Sequence, residues 1–176
     1  DSIECTRKSQ PDLFAATVGG LGLTGLITWA EIRLKRIKNP FIDSETVKFA
    51  NLDEFFAISA ESERYEYSVS WVDCLAKGDS LGRGLFMRGN NNTLREAPSK
   101  PLGQKKNLVF PFDAPSFLLN RFTVRAFNTL YYGKQFSKMS SRVEHYESFF
   151  YPLDRILHWN RMYGNRGFMQ WQCVVP

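Results

Sequence analysis

The sequence predicts an α+β fold in which helices flank an antiparallel β-sheet. Residues 64–73 alternate apolar and polar side chains as a half-buried strand does, and a turn at Gly78-Asp79 leads into a second apolar run at 81–88. Strands and helices do not alternate regularly along the chain, which argues against a parallel α/β sheet. The composition, 43% hydrophobic and 23% charged over 176 residues, is typical of a folded globular protein, and the net charge of +5 favours an anionic partner only weakly.

The first 38 residues predict one short helix and a glycine-rich turn. Pro11 precedes Asp12-Leu13-Phe14-Ala15-Ala16, and proline is favoured in the first turn of a helix. Four glycines then fall between positions 19 and 25, a pattern that requires positive φ or a close backbone approach. From Leu26 to Lys38 the sequence is rich in β-forming residues at its start and becomes basic at its end.

The middle of the chain predicts a strand, a helix and then the hairpin. The strand is predicted at 46–49. Asn51 is a favourable N-cap, and Glu54 three residues later completes a pattern that resembles a capping box. The residues spaced for one helical face are Leu52, Phe55, Phe56 and Ser59.

Two segments of the second half predict loops. Residues 89–116 contain an asparagine run and four prolines, which predicts an excursion across the surface. Residues 133–147 are polar and basic, and we interpret them as a mobile loop and a candidate lid over a binding site.

Two helices and a final strand are predicted around these loops. The first helix ends at Gly133 and has an apolar face made of Val124, Phe127, Leu130 and Tyr131. A second helix is predicted to begin at Pro152 and to stop at Gly164. Residues 167–174 alternate as a strand that places Gln170 and Gln172 on the same face.

The sequence excludes several classes of protein and site. The longest apolar run, at 15–30, is interrupted by glycines and is too short to span a bilayer. The first residues do not have the basic and apolar regions of a secretory signal. Three well-separated cysteines and two histidines predict neither a disulfide framework nor a metal site, so we expect free thiols in a cytoplasmic protein. No RNP, KH, zinc or helix-turn-helix pattern supports nucleic-acid binding.

The glycine cluster formally contains a dinucleotide-binding pattern, Gly20-x-Gly22-x-x-Gly25. That fingerprint follows a strand, whereas a helix is predicted here, so a Rossmann-type site is disfavoured. Two interpretations remain open: a tight structural turn, or a backbone surface for another phosphate-bearing cofactor.

Amide and aromatic side chains form the second group of candidates. Gln170 and Gln172 could both hydrogen-bond a polyhydroxylated ligand, since each amide offers a donor and an acceptor, or they could face solvent on a sheet edge. Trp71 is either a core residue or a platform for a ligand.

Motifs along nearly the whole chain resemble a known family. Glu4-Cys5 and residues 11–27 (PDLFAATVGGLGLTGLI) resemble the end of the FAD-binding domain in vanillyl-alcohol-oxidase-type flavoproteins. Later motifs follow the order found in the members of that superfamily that oxidise polyprenyl-phosphate-linked ribose. They are Ser70-Trp71-Val72-Asp73, Leu81-Gly82-Arg83, Phe112-Asp113-Ala114-Pro115, Leu130-Tyr131-Tyr132-Gly133-Lys134, Phe149-Phe150-Tyr151-Pro152-Leu153-Asp154, Trp159-Asn160-Arg161-Met162-Tyr163-Gly164 and Gly167-Phe168-Met169-Gln170-Trp171-Gln172.

The resemblance implies an FAD-dependent oxidoreductase that acts on a CH–OH group. Its substrate would be a polyprenyl-phosphate-linked ribose oxidised at the 2′ position, as the first half of an epimerisation to arabinose. A partner short-chain NAD(P)H dehydrogenase would reduce the resulting ketone. A lipid-linked substrate further implies work at the inner membrane surface without a spanning helix.

The same resemblance assigns residues to two sites. Gly22, Thr24, Gly25 and Ile27 would lie along the FAD. Trp71, Phe150, Gln170 and Gln172 would line the substrate pocket. No catalytic residue and no metal ligand is expected within the chain. Phe150 stands where the mycobacterial type of enzyme carries tyrosine, which leaves the identity of the substrate open.

The resemblance also implies a domain division. We expect residues 1–38 to be the C-terminal part of an FAD-binding domain and residues 39–176 to be a substrate-binding (cap) domain that is truncated at its C-terminus. We expect such a piece alone to bind FAD poorly and to be inactive. The alternatives are an aldonolactone or alditol oxidase of the same superfamily, and a non-catalytic module that binds a lipid phosphate or a protein.

Overall fold

A computed structural model of the chain describes residues 2–94, 108–152, 156–167, 169 and 172. The chain divides into two compact units, Asp1–Arg36 and Ile37–Pro176, and each is described by itself.

The first unit contains one short helix, α1 (Pro11–Thr17), which confirms the predicted helix. Pro11 lies at its first position, and the Val18 N–H donates to the Phe14 carbonyl where the helix ends. The β-structure expected from Leu26 onward does not form: residues 25–37 have no regular secondary structure. A strand needs a neighbour to satisfy its backbone groups, and the described part of this unit provides none.

The second unit is built on a four-stranded antiparallel sheet. Its strands are β1 (Phe41–Phe49), β2 (Tyr67–Val72), β3 (Gly84–Asn91) and β5 (Met139–His145), in the order β2-β3-β1-β5. A separate parallel pair joins β4 (Leu108–Val109) to β6 (Ile156–Leu157). The predicted α+β class with an antiparallel sheet is therefore confirmed, and so is the β2–β3 hairpin.

Helix α2 (Leu52–Glu61) packs on one face of this sheet and closes the main core. The core consists of Val47, Phe49, Ile58 and Phe86, with Phe55 packed against it. The side chain of Asn51 accepts from the Glu54 N–H at 3.0 Å, as the N-cap prediction requires. The Glu54 carboxylate reaches back to the Ala50 N–H at 2.8 Å, one residue before the position that a capping box uses.

The predicted apolar face of α2 is partly wrong. Phe56 is 64% exposed and Leu52 is 38% exposed, whereas Phe55 and Ile58 face the core. Four large apolar residues of this helix (Leu52, Phe55, Phe56 and Ile58) can form two overlapping faces, and contact with the sheet determines which of them is buried.

Helix α3 (Arg121–Gly133) is confirmed with its predicted end at Gly133. Asn120 caps it, and its side chain accepts from the backbone N–H groups of Phe122 and Thr123. Short helix α4 (Tyr146–Phe150) follows β5 directly and was not predicted.

The interpretation of residues 133–147 as a mobile loop and lid is wrong from residue 139 onward, and only residues 134–138 form a loop. Met139–His145 is strand β5, which pairs antiparallel with β1 from Phe41 to Val47. The side chain of Gln135 also donates to the Thr46 carbonyl at 2.9 Å. Serine, arginine and glutamate suit this strand because, within the described part of the chain, it lies at the edge of the sheet beside β1.

Two other predicted boundaries change in the second unit. Residues 89–91 belong to β3 rather than to a loop, and residues 95–107 of that predicted loop lie outside the described residues. The helix expected from Pro152 to Gly164 is instead strand β6 and a 3₁₀ stretch, Trp159–Arg166. His158 and Gly164, with φ of 57° and 60°, are incompatible with a continuous right-handed α-helix.

Candidate functional site

The two faces of the four-stranded sheet carry different side chains. Strand pairing places Tyr67, Val69 and Trp71 of β2 on the same side as Leu85 and Met87 of β3, opposite the side that α2 covers. We call this side the aromatic face.

Trp71 lies at one end of the aromatic face, against helix α3. Its ring is half-buried, and its centroid lies 4.7 Å from that of Tyr131 in a tilted arrangement. The ring of Phe127 also stacks with that of Tyr131, at a centroid distance of 5.8 Å. Tyr131 therefore joins Trp71 to the helix, and aromatic pairs of this kind add roughly 0.5–1.5 kcal/mol to the stabilisation from burial.

Phe150 lies at the other end of the same face. Its ring meets Tyr67 edge-on at a centroid distance of 5.0 Å, beside the buried Phe149. Tyr67 and Trp71 are four residues apart in β2, which is about 13 Å along a strand. Val69 lies between them and is 40% exposed. The structure thus brings Trp71 and Phe150 to one face of the sheet, with aromatic rings at both of its ends.

Three cations surround the Trp71 end of the aromatic face. The Nζ atom of Lys134 lies 3.4 Å from the Tyr131 ring centroid. Lys48 and Arg83 flank the Tyr132 ring at 4.2 and 4.8 Å. Arg83 is paired with Asp73, so the two lysines provide the positive charge that could meet an anionic group such as a phosphate beside this aromatic wall.

Sequence reasoning assigned Tyr131 to the apolar face of a helix and did not place it in the pocket. The signal was present, because Tyr131 belongs to the Leu130-Tyr131-Tyr132-Gly133-Lys134 motif that carries the resemblance. What spacing could not predict is that Tyr131, with Lys134 over its ring, meets Trp71 from 60 residues away in sequence.

Asp73 anchors the helix that carries Tyr131. This carboxylate is 1% exposed, accepts from the Asn128 amide at 2.7 Å and from the Leu75 N–H at 3.1 Å, and pairs with Arg83 at 3.0 Å. Burial alone would raise the pKa of Asp73, but the hydrogen bonds from Asn128, Leu75 and Arg83 together outweigh it and lower the pKa below its ordinary value. The charged carboxylate therefore ties α3 to the end of β2, two residues beyond Trp71.

The predicted glutamines are not brought to the aromatic face by what the structure describes. Gln170 lies outside the described residues. Gln172 is exposed and has no regular secondary structure. Most of the strand predicted at 167–174 likewise falls outside the described residues. The assignment of Gln170 and Gln172 to the pocket stays a prediction.

The predicted FAD-binding residues lie in the first unit, in a turn with an open backbone. Gly22 and Gly25 have φ of 77° and 140°, and a Cβ added to either would meet no atom within 4 Å. The Thr24 hydroxyl is 2.9 Å from that of Thr17, and Ile27 is 62% exposed. Backbone of this kind leaves room for a ligand to approach closely. Their assignment to FAD stays a prediction.

A groove of about 370 Å³ lies on the side of the sheet away from the aromatic face. It contains none of the predicted site residues. It is lined by Asp43, Ser44, Glu45, Tyr65, Asn90, Ser141, Arg142 and Val143. The Tyr65 hydroxyl donates to Glu45 at 2.8 Å and, with Arg88, lowers the pKa of Glu45 against the effect of its partial burial.

Among the residues that the structure describes, no group of three or more His, Cys, Asp and Glu side chains is placed to hold a metal ion. Within the same residues, no helix is both long enough and apolar enough to cross a membrane.

No protein-family model matches the sequence. Among curated proteins, the decaprenylphosphoryl-beta-D-ribose oxidase of Mycolicibacterium smegmatis is 36% identical over 173 residues, which covers 94% of this chain and 37% of that protein. The resemblance to this oxidase is confirmed. An uncharacterized protein in the mprA 5′ region of Streptomyces coelicolor is 29% identical over 116 residues, which covers 63% of this chain and 32% of that protein.

The chain spans about a third of the length of these curated relatives. The similarity to the decaprenylphosphoryl-ribose oxidase covers both units described above, since it includes 94% of the chain. It therefore applies to the glycine-rich turn of the first unit as well as to the sheet and helices of the second.

Proposed function

We propose that the protein containing this chain is an FAD-dependent oxidoreductase that oxidises a polyprenyl-phosphate-linked ribose at its 2′ carbon. The observation that carries the proposal is the 36% identity to a decaprenylphosphoryl-ribose oxidase along 94% of the chain. The product would be a ketone, which a partner short-chain NAD(P)H dehydrogenase would reduce to complete an epimerisation to arabinose.

The aromatic face supports a role in holding the sugar. Sugar rings present apolar C–H patches that pack on aromatic side chains, and Trp71 and Phe150 offer such surfaces at the two ends of one open face. We assign Gln170 and Gln172 to the hydroxyl groups of the sugar, since each amide can donate and accept. Holding the ring in one orientation is what lets a hydride leave a chosen carbon.

The cations beside Trp71 support a role in holding the phosphate. Lys134 lies against Tyr131, which itself contacts Trp71, so an ammonium group stands next to the proposed sugar platform. A sugar phosphate whose ring packs on Trp71 would place its negative charge within reach of this group. We therefore assign phosphate recognition to Lys134.

The glycine-rich turn supports the cofactor assignment. Gly22, Thr24, Gly25 and Ile27 would line the flavin with open backbone and one exposed aliphatic side chain. The chemistry that FAD supplies when bound is the acceptance of a hydride from the sugar carbon. In this proposal the residues of the chain orient the substrate and keep water from it, at the cytoplasmic surface of the membrane.

A dye-reduction assay on the product of the full open reading frame tests the proposal. We expect polyprenyl-phosphoryl ribose to support reduction of an artificial acceptor dye, and free aldonolactones or alditols to support little. Preferential turnover of a free lactone or alditol would replace the lipid-linked substrate with the alternative of the same superfamily. Loss of all oxidation would favour a binding module.

A further inference from the structure

Helix α3 has its apolar side turned outward. Phe122, Phe127 and Leu130 are 71%, 58% and 76% exposed. The segments on either side continue this surface, because Phe117 is 76% exposed and Phe136 is 97% exposed. A surface helix normally turns its apolar stripe toward the core, so this orientation needs an explanation.

Polar contacts fix this orientation. Asn128 is the buried residue of α3, and it donates to the buried Asp73 at 2.7 Å. Arg83 donates to the Thr129 hydroxyl at 3.2 Å. Rotating Phe122 and Leu130 inward would break these bonds and leave the Asp73 carboxylate without Asn128, which is costly for a buried charge. The outward apolar side is thus built into the fold.

The margin of this surface is positively charged. From Ala114 to Val143 the sequence has five basic residues, Arg121, Arg125, Lys134, Lys138 and Arg142, and no acidic residue. Lys138 and Arg142 are paired with Glu54 and Glu144. Among the described residues no carboxylate lies within ion-pair distance of Arg121, Arg125 or Lys134. Lys134 is assigned above to the substrate phosphate, so Arg121 and Arg125 are the two cations that remain available beside the apolar side of α3.

We propose that the outward side of α3 docks the protein on an anionic lipid bilayer. Phe122, Phe127 and Leu130 enter the interface between head groups and acyl chains, while Arg121 and Arg125 contact lipid phosphates. This is the arrangement of an interfacial amphipathic helix, which lies in the plane of the membrane surface. The inference rests on α3 and its contacts, and it stands whether or not the substrate proposed above is correct.

Charge favours a bilayer over the other occupants of an exposed apolar helix. Helix α2 also exposes a phenylalanine, Phe56, but its sequence contains Asp53, Glu54 and Glu61 and no basic residue. Anionic membranes attract Lys and Arg and repel carboxylates. The contrast between two exposed helical phenylalanines in one sheet unit also supplies a matched control.

Vesicle flotation with the full-length protein tests the proposal. The probe is a phosphatidylcholine vesicle that contains phosphatidylglycerol, compared with pure phosphatidylcholine. For the double variant F122S/L130S we expect the partition coefficient to fall at least tenfold, since the loss of even one large apolar side chain from the interface corresponds to about that factor.

For R121Q/R125Q we expect the partition coefficient to fall about fivefold for each charge removed, and only for the anionic vesicles. High salt should abolish this difference from the wild type. F56S should leave binding unchanged.

Other results would overturn the proposal. Unchanged flotation of F122S/L130S would mean that α3 does not contact lipid. If this variant melted well below F56S, or changed the oligomeric state, the apolar side would be covered by another part of the protein or by a second copy. Equal binding to anionic and neutral vesicles would remove the role of the arginines.

Discussion

Asp73 is the residue on which the arrangement of the candidate site depends most. Its carboxylate accepts hydrogen bonds from the Leu75 N–H in the turn after β2, from Asn128 in α3 and from Arg83, so one side chain joins three parts of the fold. A buried charge of this kind is stable only while its partners remain, because the cost of removing it from water is offset by the bonds it accepts.

We predict that Asp73→Ala lowers the free energy of unfolding by roughly 3 kcal/mol, since it leaves Arg83 and the buried Asn128 without their partner. Chemical denaturation of the protein measures this. Asp79→Ala, an exposed carboxylate in the same connection between β2 and β3, should change stability by at most about 0.5 kcal/mol. Equal effects of the two substitutions would contradict the role of Asp73.

The pH dependence of stability follows from the same carboxylate. Its pKa is lower in the folded than in the unfolded state, so its contribution is present above the unfolded value of about 4 and is lost as the pH falls through the folded value. Denaturation of the wild type should therefore show stability falling below pH of about 4. The free energy of unfolding of Asp73→Ala should fall less steeply with decreasing pH. Identical pH profiles of the two proteins would contradict this role of the Asp73 carboxylate.

Trp71 is the residue on which the functional proposal depends most. We predict that Trp71→Ala lowers kcat/KM for the lipid-linked ribose by roughly tenfold to a hundredfold, because the sugar loses the surface that orients it. Trp71→Phe should keep much of the activity. Phe56→Ala removes an exposed ring on the opposite side of the sheet and should leave kcat/KM unchanged. A Trp71→Ala enzyme with wild-type kinetics would exclude Trp71 from the pocket.

At the scale of elements, the sequence predicted those helix caps, helix ends and turns that depend on interactions between residues close together in the chain. The Asn51 cap, the end of α3 at Gly133 and the β2–β3 hairpin depend on neighbours in sequence. Spacing and capping rules describe such interactions directly. These elements were predictable, and they hold Trp71 and Tyr131.

The elements that were mispredicted depend on partners far away in sequence. Strand β5 is polar and basic, and it is a strand because β1 lies beside it, about 100 residues earlier. Strand β6 forms because β4 pairs with it, within a segment whose proline predicted a helix. The meeting of Trp71 with Tyr131 and of Tyr67 with Phe150 depends on the same long-range packing. No pattern within one segment contains that information.

The β2–β3 hairpin offers a test of packing behind Trp71. A Cβ added to Gly84 would collide with the Trp71 carbonyl and come within 2.5 Å of the Phe49 ring. We predict that Gly84→Ala destabilises the protein by roughly 2 kcal/mol or more, because neither the strand nor the buried ring can move away freely. Thermal unfolding measures the change. Gly133→Ala, which meets no atom within 4 Å, is the control and should be close to neutral.

At the scale of the whole molecule, the chain combines a glycine-rich turn in one compact unit with an aromatic, cation-lined sheet face in the other. Both units fall within the similarity to the decaprenylphosphoryl-ribose oxidase. The first carries the residues assigned to FAD and the second those assigned to the sugar. The outward apolar side of α3, with its basic margin, agrees with the membrane docking and the lipid-linked substrate that we propose.

Anaerobic reduction of the protein-bound flavin tests the central claim most directly. The full-length protein is mixed with polyprenyl-phosphoryl ribose in the absence of any other acceptor, and the visible flavin absorbance is followed. We expect the purified protein to show this absorbance, the lipid-linked ribose to bleach it, and Trp71→Ala to slow the bleaching. A flavin-loaded protein that the lipid-linked ribose does not bleach would contradict the proposed substrate, and a protein without flavin would contradict the proposed class of enzyme.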